Sequence, residues 1–286
     1  MGKPSISTQL KTISKIISQE KNAKDLLESH RRILQIQQEI DEMPNKGTQK
    51  CPDLATIASW QKDALRTKKP IIHFLQPSIF DQKALFSKFK KIVKNIAETH
   101  VTSQGLRNLL SLTQTGKVNL AKLIEATLTE DAASIKNHAD ELRIHPALLL
   151  FAVSALIQPC LEEIARTTEA SLWDTWWQTF CPVCGRIPVT ARVRSGKRYL
   201  VCTFCGTEYL SDRILCVHCN NADPYTLKYL VAEDQPGFQI DFCKKCQHYV
   251  KVIDEGKIRE QIPNGLEDML TFNLDLAAKN RGLVRD

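Results

Sequence analysis

Eight of the ten cysteines fall into four Cys-x-x-Cys pairs: Cys181/Cys184, Cys202/Cys205, Cys216/Cys219 and Cys243/Cys246. Two residues between cysteines let both sulfurs reach one tetrahedral ion, and two such pairs complete a closed four-sulfur site. Eight thiols therefore imply two metal ions, one per tetracysteine site. The donor set suits iron or zinc, and spacing alone does not choose between them. Four pairs can be matched in three ways. The first and third spacers each contain a hairpin pattern that would bring two pairs together, which favours sites 181/184/202/205 and 216/219/243/246. A cross-braced match of first with third and second with fourth remains an alternative. Four protein ligands leave no open position for catalysis, so structure is the first role to consider.

The turn after each pair needs a residue tolerant of positive φ. Gly185 and Gly206 supply it, Asn220 is the next best choice, and Gln247 fits poorly, so the fourth turn is expected to be distorted. Cys181-Pro182-Val183-Cys184-Gly185 matches a rubredoxin knuckle. Each ribbon built on two pairs has only about 35 residues, below the size at which a core alone holds a fold. Zinc affinities of about 10 to 16 kcal/mol would supply the missing stability. Cys51 and Cys160 stand apart from the pairs and read as bystanders.

The elements that must carry these pairs are short and β-prone. Runs at 189–193 and 198–201 flank Arg194-Ser195-Gly196-Lys197, and runs at 225–231 and 238–242 flank Asp234-Gln235-Pro236-Gly237, giving two hairpins. Upstream the texture is helical. Ile6, Leu10, Ile13 and Ile17 recur at helical spacing, as do Leu26, Leu27, Ile33, Leu34 and Ile40. Pro44-Asn45-Lys46-Gly47 breaks the pattern. Leu85, Phe86, Phe89, Ile92, Val93 and Ile96 form a further stripe with Asp81 as its cap, and shorter helices are expected around 103–113 and 118–128. The segment from His145-Pro146 to about Arg166 is apolar on most sides, as a central core helix is, with a kink expected at Pro159. Leu266, Met269, Leu270, Leu274 and Leu276 suggest a final helix.

Charge narrows the function classes. The chain carries a net +7, but residues 181–255 hold ten basic and eight acidic side chains, and each metallated site adds a formal −2. Loaded ribbons thus come to about −2, which argues against a nucleic-acid partner, since phosphate neutralisation supplies most of that affinity. Residues 1–8 lack the apolar run of a secretory signal, and the 147–157 run falls short of the roughly 20 residues that cross a bilayer. A cytoplasmic protein without membrane insertion is expected, where thiols stay reduced and bind metal rather than form disulfides. No nucleophile, base and orienting acid assemble from local motifs, so no enzyme is expected.

At these residues the sequence resembles the FdhE family of formate dehydrogenase accessory proteins. Cys181-Pro-Val-Cys-Gly-x-x-Pro188 looks like the family's first motif, and Arg198-Tyr-Leu-x-Cys202-x-x-Cys205-x-Thr-Glu208 like its second. Arg213 precedes the third pair, Tyr249 and Lys251 follow the fourth, and His145-Pro146, Pro159 and Leu274-Asp275 fit the family's layout. Tyr209 departs from it, standing where the family often has Trp. The resemblance implies a helical domain, two rubredoxin-like modules, a cytoplasmic location, and binding to the catalytic subunit of a respiratory formate dehydrogenase during its maturation.

The combined expectation is a mainly α N-terminal domain followed by two small rubredoxin-like, zinc-ribbon β modules and a C-terminal helix. The boundaries are 1–177 for the helical domain, 178–212 and 213–255 for the two ribbons, and 256–286 for the last segment. Trp173, Trp176 and Trp177 lie at i, i+3 and i+4 on a helix entering the first knuckle and read as core. His218 sits inside the third pair, where the cysteines already complete the motif. Arg192, Arg194, Lys197 and Arg198 read as a solvated basic face, or as a dock for an acidic surface. Two other readings stand beside the assembly factor: a nucleic-acid-binding zinc-ribbon protein, and a rubredoxin-like redox protein.

Overall fold

The computed structural model describes residues 4–19, 24–41, 52–99, 104–232, 235–258, 262 and 265–285. The 44–47 break, Cys51, Asp234 and the side chains of Leu26 and Ile40 lie outside that description. The chain forms two compact units: Ser5–Asp53 with Ile72–Glu163, and Met1–Pro4, Leu54–Ile71 and Ile164–Asp286.

The first unit is helical, with α1 (Ile6–Gln19), α2 (Lys24–Asp41), α4 (Gln82–Thr99), α5 (Gln104–Gln114), α6 (Leu120–Leu128), α7 (Ala132–Leu142) and most of α8 (Pro146–Thr167). Their apolar stripes meet as the spacing requires: Ile13, Leu34, Phe89, Ile92, Val93, Leu109 and Leu123 are buried. Asp81 caps α4, accepting from the backbone N–H of Lys83 and Ala84 at 3.0 and 3.1 Å. The helix α7, capped by Asp131, was absent from the sequence reading.

The helix α8 is 22 residues long and contains Pro159. By length and composition it reaches what a bilayer needs, which the eleven-residue apolar run understated. Leu149, Ala152, Val153, Leu156 and Leu161 nonetheless bury fully within the protein, as a core helix does. A proline has no N–H for the carbonyl four residues back, here that of Ala155. Gln37 of α2 replaces the missing donor: its buried amide gives one hydrogen bond to the Ala155 carbonyl at 2.9 Å and another to Gln158 at 3.0 Å.

The second unit is built on a six-stranded sheet. Its strands are β1 (Thr190–Arg194), β2 (Lys197–Val201), β3 (Glu208–Ser211), β4 (Leu227–Val231), β5 (Phe238–Cys243) and β6 (Tyr249–Asp254), in the order β3-β2-β1-β6-β5-β4. Each ribbon contributes three antiparallel strands, and a parallel pairing of β1 with β6 joins them. The first hairpin turns through Ser195 and Gly196, both at positive φ, the two-residue turn whose twist matches its strands.

The register gives the sheet two distinct faces. Ile240, Tyr249, Lys251, Ile253 and Arg192 share one, where Leu274, Ala278 and Leu283 pack on Ile240 and Tyr249. The single helix expected at the C-terminus is two short ones, α9 (Glu267–Leu270) and α10 (Phe272–Lys279). Tyr229, Asp241, Val250, Val193 and Arg198 share the opposite face.

Helix α3 (Leu54–Thr67) joins this unit through a reciprocal clamp. The Gln61 amide donates to the Glu169 carbonyl at 2.8 Å and accepts from the Glu169 N–H at 3.0 Å. Of the three tryptophans, Trp173 lies in a 3-10 turn, Ala170–Thr175, Trp176 ends that turn and Trp177 follows it, so they do not share an α-helix. Trp173 and Trp176 pack edge to face in the core, whereas Trp177 takes a positive φ and is exposed.

Candidate metal centres

Each knuckle is a turn in which two sulfurs leave the same side of a tight loop. The N–H of the residue after the second cysteine returns to the first cysteine's carbonyl in all four: Gly185 at 2.9 Å, Gly206 at 2.7 Å, Asn220 at 2.9 Å and Gln247 at 2.8 Å. The first cysteine's N–H then donates to the next residue's carbonyl, at 2.8 to 3.0 Å in each case. This double bond pattern forces positive φ at the closing residue, 77° at Gly185, 81° at Gly206, 55° at Asn220 and 62° at Gln247. The expected distortion of the fourth turn is therefore absent. Gln247 takes the left-handed conformation, and its side chain donates to the Lys244 carbonyl at 2.9 Å.

The knuckles close in sequence order. Cys181, Cys184, Cys202 and Cys205 form one cluster, and Cys216, Cys219, Cys243 and Cys246 the other, with the sulfurs of each within 4.8 Å of one another. The cross-braced match does not occur. Neighbouring sulfurs stand 3.5 Å apart at Cys181–Cys205, 3.4 Å at Cys184–Cys202, 3.5 Å at Cys216–Cys246 and 3.7 Å at Cys219–Cys243. A tetrahedron with metal–sulfur bonds of about 2.3 Å has edges of about 3.8 Å, so both clusters have the size and donor set to hold one such ion.

The clusters differ in surroundings. All four sulfur residues of the first are buried, whereas Cys219 of the second is exposed and Cys246 half-buried. Burial pushes the Cys181 and Cys184 thiols well up, while the neighbouring thiols, Cys181 foremost, pull Cys202 well down. In the second cluster burial raises Cys216 to about 12. Burial also resists ionisation of Cys243, but the N–H groups of Cys246 and Lys245 and the Asn221 amide hold it at about 7. His218 stays outside the four sulfurs and stacks on His248 with ring centroids 4.4 Å apart.

The basic hairpin is not a solvated face. Arg192 is buried, its guanidinium 2.8 Å from Glu255 and 2.6 Å from Glu267. Arg194 bonds Glu255 at 2.6 Å and Glu208 at 3.3 Å. Arg198 is buried as well, donating to the carbonyls of Asp212 and Leu215 at 3.3 and 3.0 Å. Arg192 and Arg198 thus brace the sheet internally, Arg194 is half-buried in its ion pairs, and of the four basic residues of this hairpin Lys197 alone is exposed.

A second ionic group fastens the C-terminal helices. The Lys251 side chain is fully buried, with Nζ 2.6 Å from Asp268 and 2.7 Å from Asp275. Arg285 bonds the same two carboxylates at 2.5 and 3.0 Å, and the Tyr249 hydroxyl donates to Asp275 at 2.7 Å. Burial opposes ionisation of Asp268, yet Lys251 and Arg285 hold its carboxyl below the usual range. Glu208, Tyr249, Lys251 and Asp275, singled out in the sequence without a role, thus belong to ionic groups that tie the sheet strands to one another and to the C-terminal helices. Their partners Glu267 and Asp268 carried no comparable signal. Tyr209, the departure from the motif, is fully buried, and burial followed by the charge of the Cys181 thiolate pushes its phenol well up.

Comparison with known proteins agrees with this geometry. Residues 180–213 match the family model for the FdhE central domain. A protein FdhE homolog of Aquifex aeolicus is 29% identical over 205 residues, covering 70% of this chain and 68% of the relative. A homolog of Stutzerimonas stutzeri is 32% identical over 149 residues, covering 49% of this chain but only 47% of the relative. The FdhE of Escherichia coli K12 is 31% identical over 111 residues, 37% of this chain and 35% of that protein. Among solved structures, the FdhE protein from Pseudomonas aeruginosa superposes with a TM-score of 0.57 at 18% identity, covering 98% of this chain and 93% of that one.

Proposed function

We propose that the chain is a member of the FdhE family and acts as an accessory factor that binds the catalytic subunit of a respiratory formate dehydrogenase during maturation, a reading supported by the match of residues 180–213 to the FdhE central domain and by the FdhE homologs it resembles. It acts in the cytoplasm and has no catalytic activity of its own. The observation that carries this reading is the unit built around the two clusters, in which the residues shared with the family form knuckles and ionic braces rather than a reaction centre. We propose one metal ion at Cys181, Cys184, Cys202 and Cys205, and a second at Cys216, Cys219, Cys243 and Cys246, each iron or zinc. When bound, the metals would supply folding free energy to ribbons too small to hold themselves. The division into 1–177, 178–212, 213–255 and 256–286 is likewise proposed, and limited proteolysis of the metal-loaded chain tests it.

Internal pairing of Arg192 and Arg194 supports the choice of a protein partner over nucleic acid, because it removes the charge a phosphate backbone would need. The redox reading draws support from exposed Cys219, which would give an electron a short path to the surface if the second metal were iron. Deleting the gene in a formate-respiring host tests the leading reading. Formate oxidation should collapse while the catalytic subunit is still synthesised, and return when the gene is restored. Full activity in the deletion strain would refute it.

A further inference from the structure

The two clusters share a donor set and a knuckle geometry but not their cover. In the first, none of the four cysteines is more than 3% exposed. The residues inside its knuckles help to close it. Pro182 and Val183 are buried with the cysteines that flank them, and the Pro182 carbonyl accepts from the N–H of Ile71, itself fully buried, at 2.9 Å. At the other knuckle the Arg186 guanidinium lies 3.5 Å from the centre of the Phe204 ring, and the Thr207 hydroxyl stands 3.1 Å from Cys205 Sγ.

The second cluster is open on one side. Cys216 and Cys243 are buried, but Cys246 is half-buried and Cys219 is exposed. The residues beside them are exposed too: Asn220 after the third pair, and Lys244, Lys245 and Gln247 in and after the fourth. The opening therefore involves both knuckles rather than one side chain.

Burial decides how an ion can leave. A fully covered four-sulfur site gives up its ion only when the surrounding structure opens, at a free energy that in core elements approaches that of global unfolding. An exposed thiolate can instead be displaced directly by another donor from solvent. The strands of the second ribbon also have anchors besides an ion. β6 pairs with both β5 and β1, and Ile240 and Tyr249 pack on Leu274, Ala278 and Leu283. Loss of the ion thus leaves the knuckles on a scaffold able to bind again.

We propose that the second cluster, Cys216, Cys219, Cys243 and Cys246, is an exchange site through which the chain takes up and gives up a metal ion, whereas the first keeps its ion as long as the unit stays folded. Cys219 is the thiolate that gives way. It leaves the ion and is protonated by solvent, and a donor of an incoming chelating ligand, a thiolate, imidazole or carboxylate, takes its place with no change of oxidation state. This role rests on the reading that each cluster holds one ion, and adds that one of the two ions is passed on.

Chelator competition on the full-length, zinc-loaded protein tests it. With EDTA in excess, one zinc per chain should leave at least about tenfold faster than the other, since one site needs a ligand displaced and the other needs the fold opened. The fast rate should rise with EDTA concentration. Iodoacetamide added at the end of the fast phase, with the products mapped by mass spectrometry, should label the second cluster, Cys219 foremost, and spare Cys181, Cys184, Cys202 and Cys205. Returning zinc to unlabelled protein should restore the second ion, with the far-UV circular dichroism largely kept throughout. Uptake of fewer than two ions would overturn both this role and the two-site reading beneath it. Two ions that leave at one rate, a fast ion lost from the first cluster, a fast phase indifferent to EDTA concentration, or a loss that added zinc does not reverse would overturn the exchange role alone.

Discussion

Lys251→Met isolates the energetics of the ionic group that holds the C-terminal helices. The lysine side chain is fully buried between Asp268 and Asp275, and Arg285 is the other cation in reach. With Lys251 present, two cations balance two carboxylates. Methionine keeps the volume and removes one charge, leaving a partly buried net negative group. Removing one partner of a buried pair costs about 3 to 5 kcal/mol, and the surviving Arg285 places this case near the lower end. In a domain of this size about 3 kcal/mol lowers the melting temperature by roughly 6 to 12 °C. Adding Asp275→Asn restores neutrality while keeping an acceptor for the Tyr249 hydroxyl, and should recover more than half of the loss. Circular-dichroism melts of the four proteins of this cycle, with metal content matched, give the comparison. A loss below about 1 kcal/mol in the single variant, or a double variant no better than the single, would refute the ionic account.

Replacing Cys181 and Cys184 together by alanine should reduce bound metal from two ions to one. It should also speed amide exchange in β6, which pairs with β1 of the damaged ribbon. Loss of both metals, read by elemental analysis, would contradict separate sites. Gln37→Met should cost about 1 to 3 kcal/mol by orphaning the Ala155 carbonyl, and much less in a Pro159→Ala background, where the backbone supplies its own donor; denaturant melts of both pairs decide this. The Arg194 guanidinium, with Arg192, holds Glu255 at about 2, below its ordinary 4.5, against the opposing effect of burial. Because the folded pKa is depressed, the stabilisation is present above pH 4.5 and lost as pH falls towards 2. The shift corresponds to at most about 3 kcal/mol, roughly 2 after screening, so Glu255→Gln should trail wild type by that amount at pH 7 and converge with it as pH falls from 4.5 towards 2.

The four-sulfur clusters were legible because two-residue spacing is a local constraint, and hairpins between pairs brought the right knuckles together. The helical stripe through Phe89, Ile92 and Val93 was legible for the same reason, since period alone marks a buried face. Interactions distant in sequence escaped. The arginines of the first hairpin read as surface charge because their carboxylates, Glu255 and Glu267, lie 61 to 75 residues further on. Nothing in β1 or β6 specifies a parallel partner, so the joining of two ribbons into one sheet was not readable. Gln247 was misjudged on propensity, where two backbone hydrogen bonds outweigh the modest cost of a left-handed residue. The tryptophan spacing suited an α-helix, but only Trp173 lies in the short 3-10 turn, and Trp177 takes a positive φ that no α-helix continues.

Anaerobic purification of the tagged chain from formate-respiring cells, with metal quantified and co-purifying protein identified in the same sample, tests the assembly-factor account most directly. The account predicts two metal ions per chain and capture of the formate dehydrogenase catalytic subunit, reduced when Cys181 and Cys184 are alanine. A fully metallated chain from which that subunit is absent would contradict it.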